Sequence, residues 1–228
     1  MKPQRKLAEA ITPDGAHLTL HEHDGNFSVR LNGQGLMHSS AHASEIQLGE
    51  LAVAKIPPQS APNILIGGLG LGFTLKSVLQ NVSPQATVHV AELIPDIVKW
   101  NREFLAELNG ALLNEARVHV AVADVWDVIA SAGKNQFDAI LLDIDNGPSA
   151  MVQKQNARVY DRSGLKRIAT ALKPGGRVCI WSAQPDQAFA NRLSDAGFKA
   201  EAVPAKLYAN AKCCAYLIYV ADKVVRTG

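Results

Sequence analysis

A cluster of glycines and a carboxylate about twenty residues later are the residues of this chain that point most directly to chemistry. Gly68, Gly70 and Gly72 follow the apolar run Ile64–Ile66, and Glu92 lies 20 residues after the last glycine, at the end of a second apolar run. In a strand–helix–strand unit, such a turn lets a ligand approach the backbone at the positive N-terminal end of a helix. The later acid is placed to accept hydrogen bonds from ribose hydroxyls. The pattern therefore predicts a nucleoside-binding site.

The glycine spacing separates two classes of nucleoside-binding protein. Dinucleotide-binding turns have the spacing G-x-G-x-x-G, which brings a helix N-terminus against a pyrophosphate. Here the spacing is G-x-G-x-G, and no obvious group follows to hold a diphosphate. This spacing, with an acid at the end of the second strand, is similar to that of the class I S-adenosylmethionine-dependent transferases. In those proteins the glycines make room for the methionine end of the cofactor.

Asp143 is the candidate catalytic residue. It ends the apolar run Ala139–Asp143 and precedes a polar, turn-rich segment. In an open α/β sheet the ligand lies beyond the carboxyl ends of the strands, so this carboxylate is expected at the site. There it can orient an amine and accept its proton, and it can stabilise positive charge on both reactants. The alternative is that Asp143 caps the turn that follows.

Strand and helix candidates alternate along residues 59–228, and they must position these side chains. The strand candidates are Ile64–Ile66, Val88–Glu92, Val118–Val122, Ala139–Asp143 and Val178–Ser182, and the helix candidates are Gly72–Asn81, Pro95–Leu108, Ala123–Ala132, Arg162–Leu172 and Pro185–Ala196. This alternation predicts an α/β, doubly wound, mostly parallel sheet with helices on both faces. The last runs, Phe198–Val203 and Cys213–Val220, are separated by nine residues. A parallel crossover needs a longer connection, so the last of the seven strands is expected to be antiparallel. As a rule, dinucleotide-binding folds lack such a strand. The Rossmann-like fold of the class I methyltransferases has it, and this is the fold type that the sequence predicts.

Residues 1–58 are predicted to form a small β-rich region with one helix, separate from the nucleoside-binding transferase domain at 59–228. Residues 17 to 37 alternate between apolar and polar side chains, with Asp24-Gly25-Asn26 as a hairpin turn. Ser44 is expected to cap a helix from Glu45 to about Lys55, which two prolines then end.

Composition narrows the class of protein further. The chain has 228 residues, 47% of them hydrophobic, and a formal net charge of +2 with no block of like charges. This favours one well-buried core and argues against a dedicated nucleic-acid surface. The apolar runs are too short to span a membrane, and no secretory signal begins the chain. Cys179, Cys213 and Cys214 are predicted to be buried, reduced thiols in a cytoplasmic protein. The histidine pairs lack the further ligands that a metal site needs.

Over residues 30 to 190 the chain resembles the spermidine synthase (polyamine aminopropyltransferase) family. The similar segments are ILIGGLGLG, VHVAELIPDIV, RVHVAVADVWD, FDAILLDIDNGP and ALKPGGRV. The resemblance implies that Glu92 binds the ribose and that Asp143 is the base for the amine. It also implies that Asp124, with Val125 beside it, contacts the adenine; an acceptor just after the third strand is also where the adenine edge is expected. The corresponding expectations are S-adenosylmethionine or its decarboxylated form as co-substrate, with no metal, a small amine as acceptor, and a homodimer.

The chain departs from the family at the acceptor side. Asn146 and Gly147 stand where the family's D-x-x-D-P signature has its second Asp and its Pro. Because a polyamine carries several cations, the loss of an acid weakens the case for putrescine. The resemblance assigns substrate contacts to Asn146 and to Tyr160, for which a core position is equally open. More loosely it assigns them to His42 and Glu45, for which a helix-capping role is equally open.

The predicted function is aminopropyl transfer from decarboxylated S-adenosylmethionine to an amine. The alternative is a methyltransferase acting on an amine, because Asn146-Gly147-Pro148 resembles the loop with which amine methyltransferases hold their substrate. A second alternative is a non-catalytic nucleoside-binding module, which a buried salt bridge at Asp143 would favour.

Overall fold

Two sheets form the framework of the protein. The computed structural model describes residues 3–144 and 156–225, so Asn146 and Gly147 lie outside the described residues. The first sheet is an antiparallel meander of β1 (Arg5–Ile11), β2 (His17–His23), β3 (Asn26–Leu31) and β4 (Gln34–His38). Asp24 and Gly25 join β2 to β3 with φ angles of 48° and 78°, as expected of a two-residue turn that matches the twist of the strands. The predicted hairpin is confirmed, and β1 and β4 extend it on both sides.

Helix α1 (Ala43–Val53) connects the meander to the second sheet and packs on the helix that follows the glycine turn. His42 is its N-cap residue and forms no side-chain capping bond. The prediction that Ser44 caps this helix is wrong. Instead, the N–H of Ala43 donates a hydrogen bond to the carbonyl of Leu207. A distant segment therefore supplies the acceptor that a side chain was expected to supply at this end of the helix. The boundary placed between residues 58 and 59 stays a prediction.

The second sheet has seven strands in the order β10-β11-β9-β8-β5-β6-β7. They are β5 (Asn63–Gly67), β6 (Thr87–Glu92), β7 (Val118–Val122), β8 (Phe137–Leu142), β9 (Leu172–Ser182), β10 (Phe198–Ala205) and β11 (Tyr216–Lys223). Strands β5 to β9 pair in parallel, and β11 lies antiparallel between β9 and β10. The doubly wound sheet with its antiparallel last strand is therefore confirmed.

Helices cover both faces of this sheet and bury an apolar core on each. They are α2 (Phe73–Asn81), α3 (Pro95–Glu103), α4 (Ala106–Asn109), α5 (Val125–Ser131), α6 (Ala157–Tyr160), α7 (Arg162–Ala171) and α8 (Gln187–Asp195), with a 3-10 helix at Leu112–Asn114. The segment predicted as one helix, Pro95–Leu108, is divided into α3 and α4. Within the described ranges, no helix has the length and apolar character needed to cross a bilayer.

The three cysteines differ in their surroundings. Cys179 is buried in β9, as predicted, and burial raises the pKa of its thiol to about 12. Cys213 and Cys214 are exposed, so the prediction that they are buried is wrong. The apolar run was expected to enter the sheet at Cys213, but β11 begins at Tyr216, and the two thiols lie in the loop before it.

Candidate active site

A cavity of about 260 Å³ lies at the carboxyl ends of the central strands. Strand β5 is flanked by β6 on one side and β8 on the other, and open α/β sheets bind ligands at such a reversal of strand order. The described lining includes most of the sequence-predicted site residues: Gly68, Gly70, Glu45, Glu92, Asp124, Val125 and Asp143. The structure thus brings together residues from five separate elements and loops. We refer to this space as the inner cavity.

The glycine turn lies directly against the segment that follows β8. Gly68 has a φ of 88°, and a Cβ added there would overlap the carbonyl oxygen of Asp143. Gly72 is the N-cap residue of α2 with a φ of 87°, and a Cβ there would lie 2.8 Å from Asn109 Nδ2. Both positions therefore require glycine for the conformation and for the space. The close approach at Gly68 is what places the turn beside the candidate base.

Glu92 holds the glycine turn in place. Its side chain is buried at the end of β6, where Oε2 accepts a hydrogen bond from Leu69 N at 2.8 Å and Oε1 accepts one from Ile94 N at 2.9 Å. Burial raises the pKa of this carboxyl, while the backbone N–H donors act in the opposite direction. The backbone N–H groups of Gly70 and Leu93 also lower the pKa of this carboxyl, so a ribose would have to share these oxygens with the glycine turn. That contact stays a prediction.

Asp124 is the N-cap residue of α5 and forms two charge-assisted contacts. Its Oδ1 accepts a hydrogen bond from Trp126 N at 2.8 Å, and its Oδ2 accepts one from Arg158 Nη2 at 2.7 Å. The Arg158 guanidinium also lies over the Trp126 ring, 5.8 Å from its centroid. Val125 follows Asp124 as a buried wall residue. Arg158 was missed by sequence reasoning, because no local pattern relates α6 to the start of α5.

Asp143 follows β8 and faces the inner cavity. Its backbone N donates to Gly67 O at 2.9 Å, and its Oδ2 accepts a hydrogen bond from Thr74 Oγ1 at 2.9 Å. Burial, and then the negative charge of Glu45, raise the pKa of Asp143 from 3.8 to about 7, while the Thr74 hydroxyl lowers it. No cationic side chain of the described residues pairs with this carboxyl, so the feature that would favour the non-catalytic alternative is not found there.

Glu45 brings a second carboxyl to Asp143 from helix α1. Ser44 Oγ donates to Glu45 Oε2 at 2.5 Å, and burial raises the pKa of Glu45 above its ordinary value. Two half-buried carboxyls that line one cavity cannot both ionise without cost, because like charges repel and both lose hydration. A cation bound between them would relieve this repulsion. An ammonium group is therefore a ligand that this arrangement can accommodate.

The charge of the inner cavity is one-sided. Its described lining contains five acids and no Lys, Arg or His side chain. The acids are Asp14, Glu45, Glu92, Asp124 and Asp143. Such a lining favours a ligand with positive charge and disfavours one with a carboxylate, which would find no cationic side chain among the described residues.

An open space of about 1130 Å³ adjoins the inner cavity, and we call it the outer cleft. Leu36, Met37, Glu45 and Trp181 line both spaces. The outer cleft lies between strands β3 and β4 of the meander and a wall formed at the ends of β9 and β11. An acceptor held in the outer cleft can therefore present an amine to the Glu45–Asp143 pair.

Two other predicted substrate residues do not line either space among the described residues. His42 stacks on Phe73 with ring centroids 4.3 Å apart, and its Nδ1 is bonded to Ser39 O at 2.7 Å. Tyr160 is buried, with its ring edge-on to Phe189. Their substrate contacts, like that of Asn146, stay predictions. In the described part of the chain, no three His, Cys, Asp or Glu side chains are grouped to hold a metal ion.

Comparison with known protein sequences gives relatives of two kinds, polyamine aminopropyltransferases and putrescine N-methyltransferases. A polyamine aminopropyltransferase of Aeropyrum pernix is 28% identical over 190 residues, which cover 74% of this chain and 58% of that protein. Putrescine N-methyltransferase 2 of Nicotiana attenuata is 30% identical over 132 residues, 56% of this chain and 33% of the relative. The chain thus spans between a third and about three fifths of the length of these relatives. No protein-family model matches it.

Solved structures confirm the fold. Spermidine synthase from Thermotoga maritima superposes with a TM-score of 0.74 at 18% identity, covering 97% of this chain and 74% of that one. A spermidine synthase in complex with the transition-state analogue AdoDATO gives a TM-score of 0.77 at 18% identity, with 97% and 75% covered.

Proposed function

Because this chain is spermidine synthase-like in sequence and has the fold of the class I S-adenosylmethionine-dependent transferases, we propose that it is an aminopropyltransferase. It transfers the aminopropyl group of decarboxylated S-adenosylmethionine to an amine acceptor. The nucleoside lies against the glycine turn, with Glu92 at the ribose and Asp124 and Val125 at the adenine. Asp143 orients the acceptor amine and takes its proton.

The observation that carries this proposal is the acidic lining of the inner cavity. Decarboxylated S-adenosylmethionine has a sulfonium and an ammonium group, so it brings two positive charges and no carboxylate. S-adenosylmethionine adds a carboxylate, for which the described lining offers five acids and no cationic partner. Moving an unpaired carboxylate out of water among like charges is unfavourable. The lining therefore favours the decarboxylated donor and, with it, aminopropyl over methyl transfer.

The chemistry follows from the position of Asp143. An alkylamine has a pKa near that of lysine, about 10.4, so most of it is protonated and unreactive at neutral pH. Asp143 accepts a proton from the ammonium, and its pKa of about 7 makes it a stronger base than an ordinary aspartate. The free lone pair attacks the carbon next to the sulfonium, forming the new C–N bond. The C–S bond breaks, its electron pair stays on sulfur, and methylthioadenosine is the product.

The test is to follow both nucleoside products in the same assay. The protein is incubated with each donor and a panel of amines, and methylthioadenosine and S-adenosylhomocysteine are separated and measured. We expect methylthioadenosine with the decarboxylated donor. Asp143→Asn should lower turnover by about 10²–10⁴-fold while methylthioadenosine binding stays near that of the unchanged protein. Full activity of the variant would remove Asp143 from the mechanism.

Methyl transfer to an amine is the second candidate, and the similarity to putrescine N-methyltransferases supports it. The same carboxyl pair would deprotonate the same kind of acceptor, and the difference lies in the donor. Accumulation of S-adenosylhomocysteine from S-adenosylmethionine would establish methyl transfer in place of the proposed reaction. If the protein binds the nucleosides but releases neither product with any amine, the non-catalytic alternative is favoured.

We also propose that the protein is a cytoplasmic homodimer that binds neither nucleic acid nor a membrane. Its unpaired cysteines support a reducing compartment, because structural disulfides form mainly in oxidising ones. The near-balanced net charge of +2 argues against an electrostatic nucleic-acid surface. Sedimentation equilibrium measures the oligomeric state directly, and a monomer over the working concentration range would contradict the proposed dimer.

A further inference from the structure

The outer cleft has the opposite charge character from the inner cavity. Apart from the phenol of Tyr216, the ionisable side chains among its described lining residues are Glu45, at the junction with the inner cavity, and three basic groups on the meander. The basic groups are His23, Arg30 and His38. An acceptor that reaches from Glu45 into this cleft therefore has its amine beside acids and its other end beside bases.

Arg30 is the permanent charge of the cleft, and its charge is not neutralised by a described neighbour. Its Nη2 donates to Gln4 Oε1 at 3.0 Å, and no described carboxylate forms an ion pair with it. The charge of Arg30 also acts on the half-buried His21. Burial lowers the pKa of His21, and the positive charges of Arg30 and Lys6 lower it further. A guanidinium with one hydrogen bond to an amide, and no ion pair among the described residues, has the fork geometry that carboxylates bind through paired hydrogen bonds.

The strand register places further donors on the same face as Arg30. Ser28 lies two residues before it in β3, and therefore on the same face of the strand, and Ser28 pairs with His38 across the β3–β4 ladder. Ser40 N donates to His38 Nδ1 at 3.2 Å, which leaves Nε2 of the neutral ring as its N–H donor. The lining thus combines a guanidinium, a hydroxyl and an imidazole N–H. The lining also has amide and hydroxyl oxygens that can accept hydrogen bonds, but beyond Glu45 it has no described carboxylate to balance the second charge of a diamine.

We infer that the acceptor is an amine whose other end carries a carboxylate, with the amine at the Glu45–Asp143 pair and the carboxylate at Arg30. This inference rests on the proposed function, because it names the acceptor class of the same site. It explains why one end of the outer cleft is acidic and the other basic. A diamine such as putrescine would place its second ammonium beside a guanidinium that no described carboxylate pairs with, and like charges in a shared cleft repel.

The experiment compares acceptors of equal length that differ at the far end. Calorimetry is carried out on the full chain with saturating methylthioadenosine, using ω-amino acids of three to six carbons and the alkylamine and diamine that match each one. The four-carbon set is 4-aminobutyrate, butylamine and putrescine. At the best chain length we expect the ω-amino acid to bind about 10- to 150-fold more tightly than the diamine, the range of a charge-assisted hydrogen bond. The same ranking is expected in kcat/KM with the decarboxylated donor.

Two variants locate the effect. Arg30→Gln should reduce the affinity for the ω-amino acid to about that of the alkylamine and leave alkylamine binding unchanged. Arg5→Gln is the matched control, because Arg5 is an exposed arginine of the same meander that pairs with Glu22 and does not line the outer cleft. It should leave the ranking unchanged. Thermal unfolding of both variants verifies that the fold is intact.

The outcomes separate this inference from the proposed function. If diamines bind and react better than ω-amino acids at every length, the inference is overturned while aminopropyl transfer stands. An unchanged preference in Arg30→Gln also overturns it, because Arg30 would then not hold the carboxylate. If the protein binds methylthioadenosine but no amine binds or reacts, both the proposed function and the inference fail.

Discussion

Replacing Glu45 with Gln tests whether the two facing carboxyls are coupled in the reaction. The substitution keeps the shape of the side chain and removes its negative charge. That charge is the second cause, after burial, of the rise in the Asp143 pKa from 3.8 to about 7. Without it the carboxylate form of Asp143 becomes easier to reach, so the pKa must fall. The acidic limb of kcat/KM for the acceptor should therefore move to lower pH.

The size of the shift follows from the charge that is removed. At an effective dielectric constant of about 20, two unit charges roughly 8 to 16 Å apart interact by about 1–2 kcal/mol. One pH unit corresponds to 1.36 kcal/mol. We therefore expect the limb to move down by about 1 pH unit, and the contribution from burial to remain.

The assay is the pH dependence of kcat/KM for the acceptor with the donor saturating. Thr74→Val should move the same limb in the opposite direction, because the Thr74 hydroxyl lowers the Asp143 pKa through its hydrogen bond. Glu50→Gln is the control, since Glu50 is an exposed carboxylate of the same helix α1. The second limb of the profile, which comes from ionisation of the acceptor amine near pH 10, should not move in any variant.

Two results would refute the reasoning. If the limb keeps its position in Glu45→Gln and moves in Thr74→Val, Asp143 titrates but Glu45 does not influence it. If neither variant moves the limb, Asp143 is not the group that titrates. A lower plateau of kcat/KM in Glu45→Gln is compatible with either outcome, because Glu45 also lines the acceptor path; the position of the limb is what decides.

Three further substitutions address the donor site. Glu92→Gln replaces one carboxylate oxygen with an amide NH2 that cannot accept a ribose hydroxyl, so methylthioadenosine affinity by calorimetry should fall about 10- to 150-fold; unchanged affinity would refute the ribose contact. Gly68→Ala forces a Cβ against the Asp143 carbonyl at positive φ and should cost about 1–3 kcal/mol of unfolding free energy in urea, whereas Gly133→Ala, which has room, should not. Asp124→Ala should abolish the preference for methylthioadenosine over methylthioinosine, and an equal preference in both proteins would exclude the adenine contact.

The donor half of the site was predictable from the sequence, because each of its residues lies at the end of a strand or just after it. In a parallel α/β sheet, the residues that end consecutive strands meet at one edge. The glycine turn, Glu92, Asp124 and Asp143 each directly follow or end a strand, so reading the strands correctly was enough to place them together. The antiparallel β11 was predictable for a similar reason, since a connection of a few residues cannot cross over a sheet.

The acceptor half was not predictable in the same way, because it depends on packing between distant segments. Glu45 reaches Asp143 because α1 packs on α2 and on the sheet, and no spacing in the sequence encodes that contact. Packing between distant segments also explains why the prediction for Ser44 was wrong. The N–H of Ala43 at the start of the helix donates to the carbonyl of Leu207, and no side chain caps it. Arg158 likewise joins Asp124 across a tertiary contact. Local propensity predicts none of these three contacts.

The opposed charges of the two spaces also suit the changes in charge that the proposed reaction produces. The donor enters with two positive charges and the acceptor with an ammonium, and the acids of the inner cavity balance them. After transfer, the inner cavity holds neutral methylthioadenosine, and both remaining ammonium groups belong to the aminopropyl product. Asp143 keeps the released proton because its pKa lies at about 7, so one carboxylate is neutralised as the cations leave. The inner cavity, which favours the cationic donor, therefore has less negative charge to attract the cationic product at the step where the product is released.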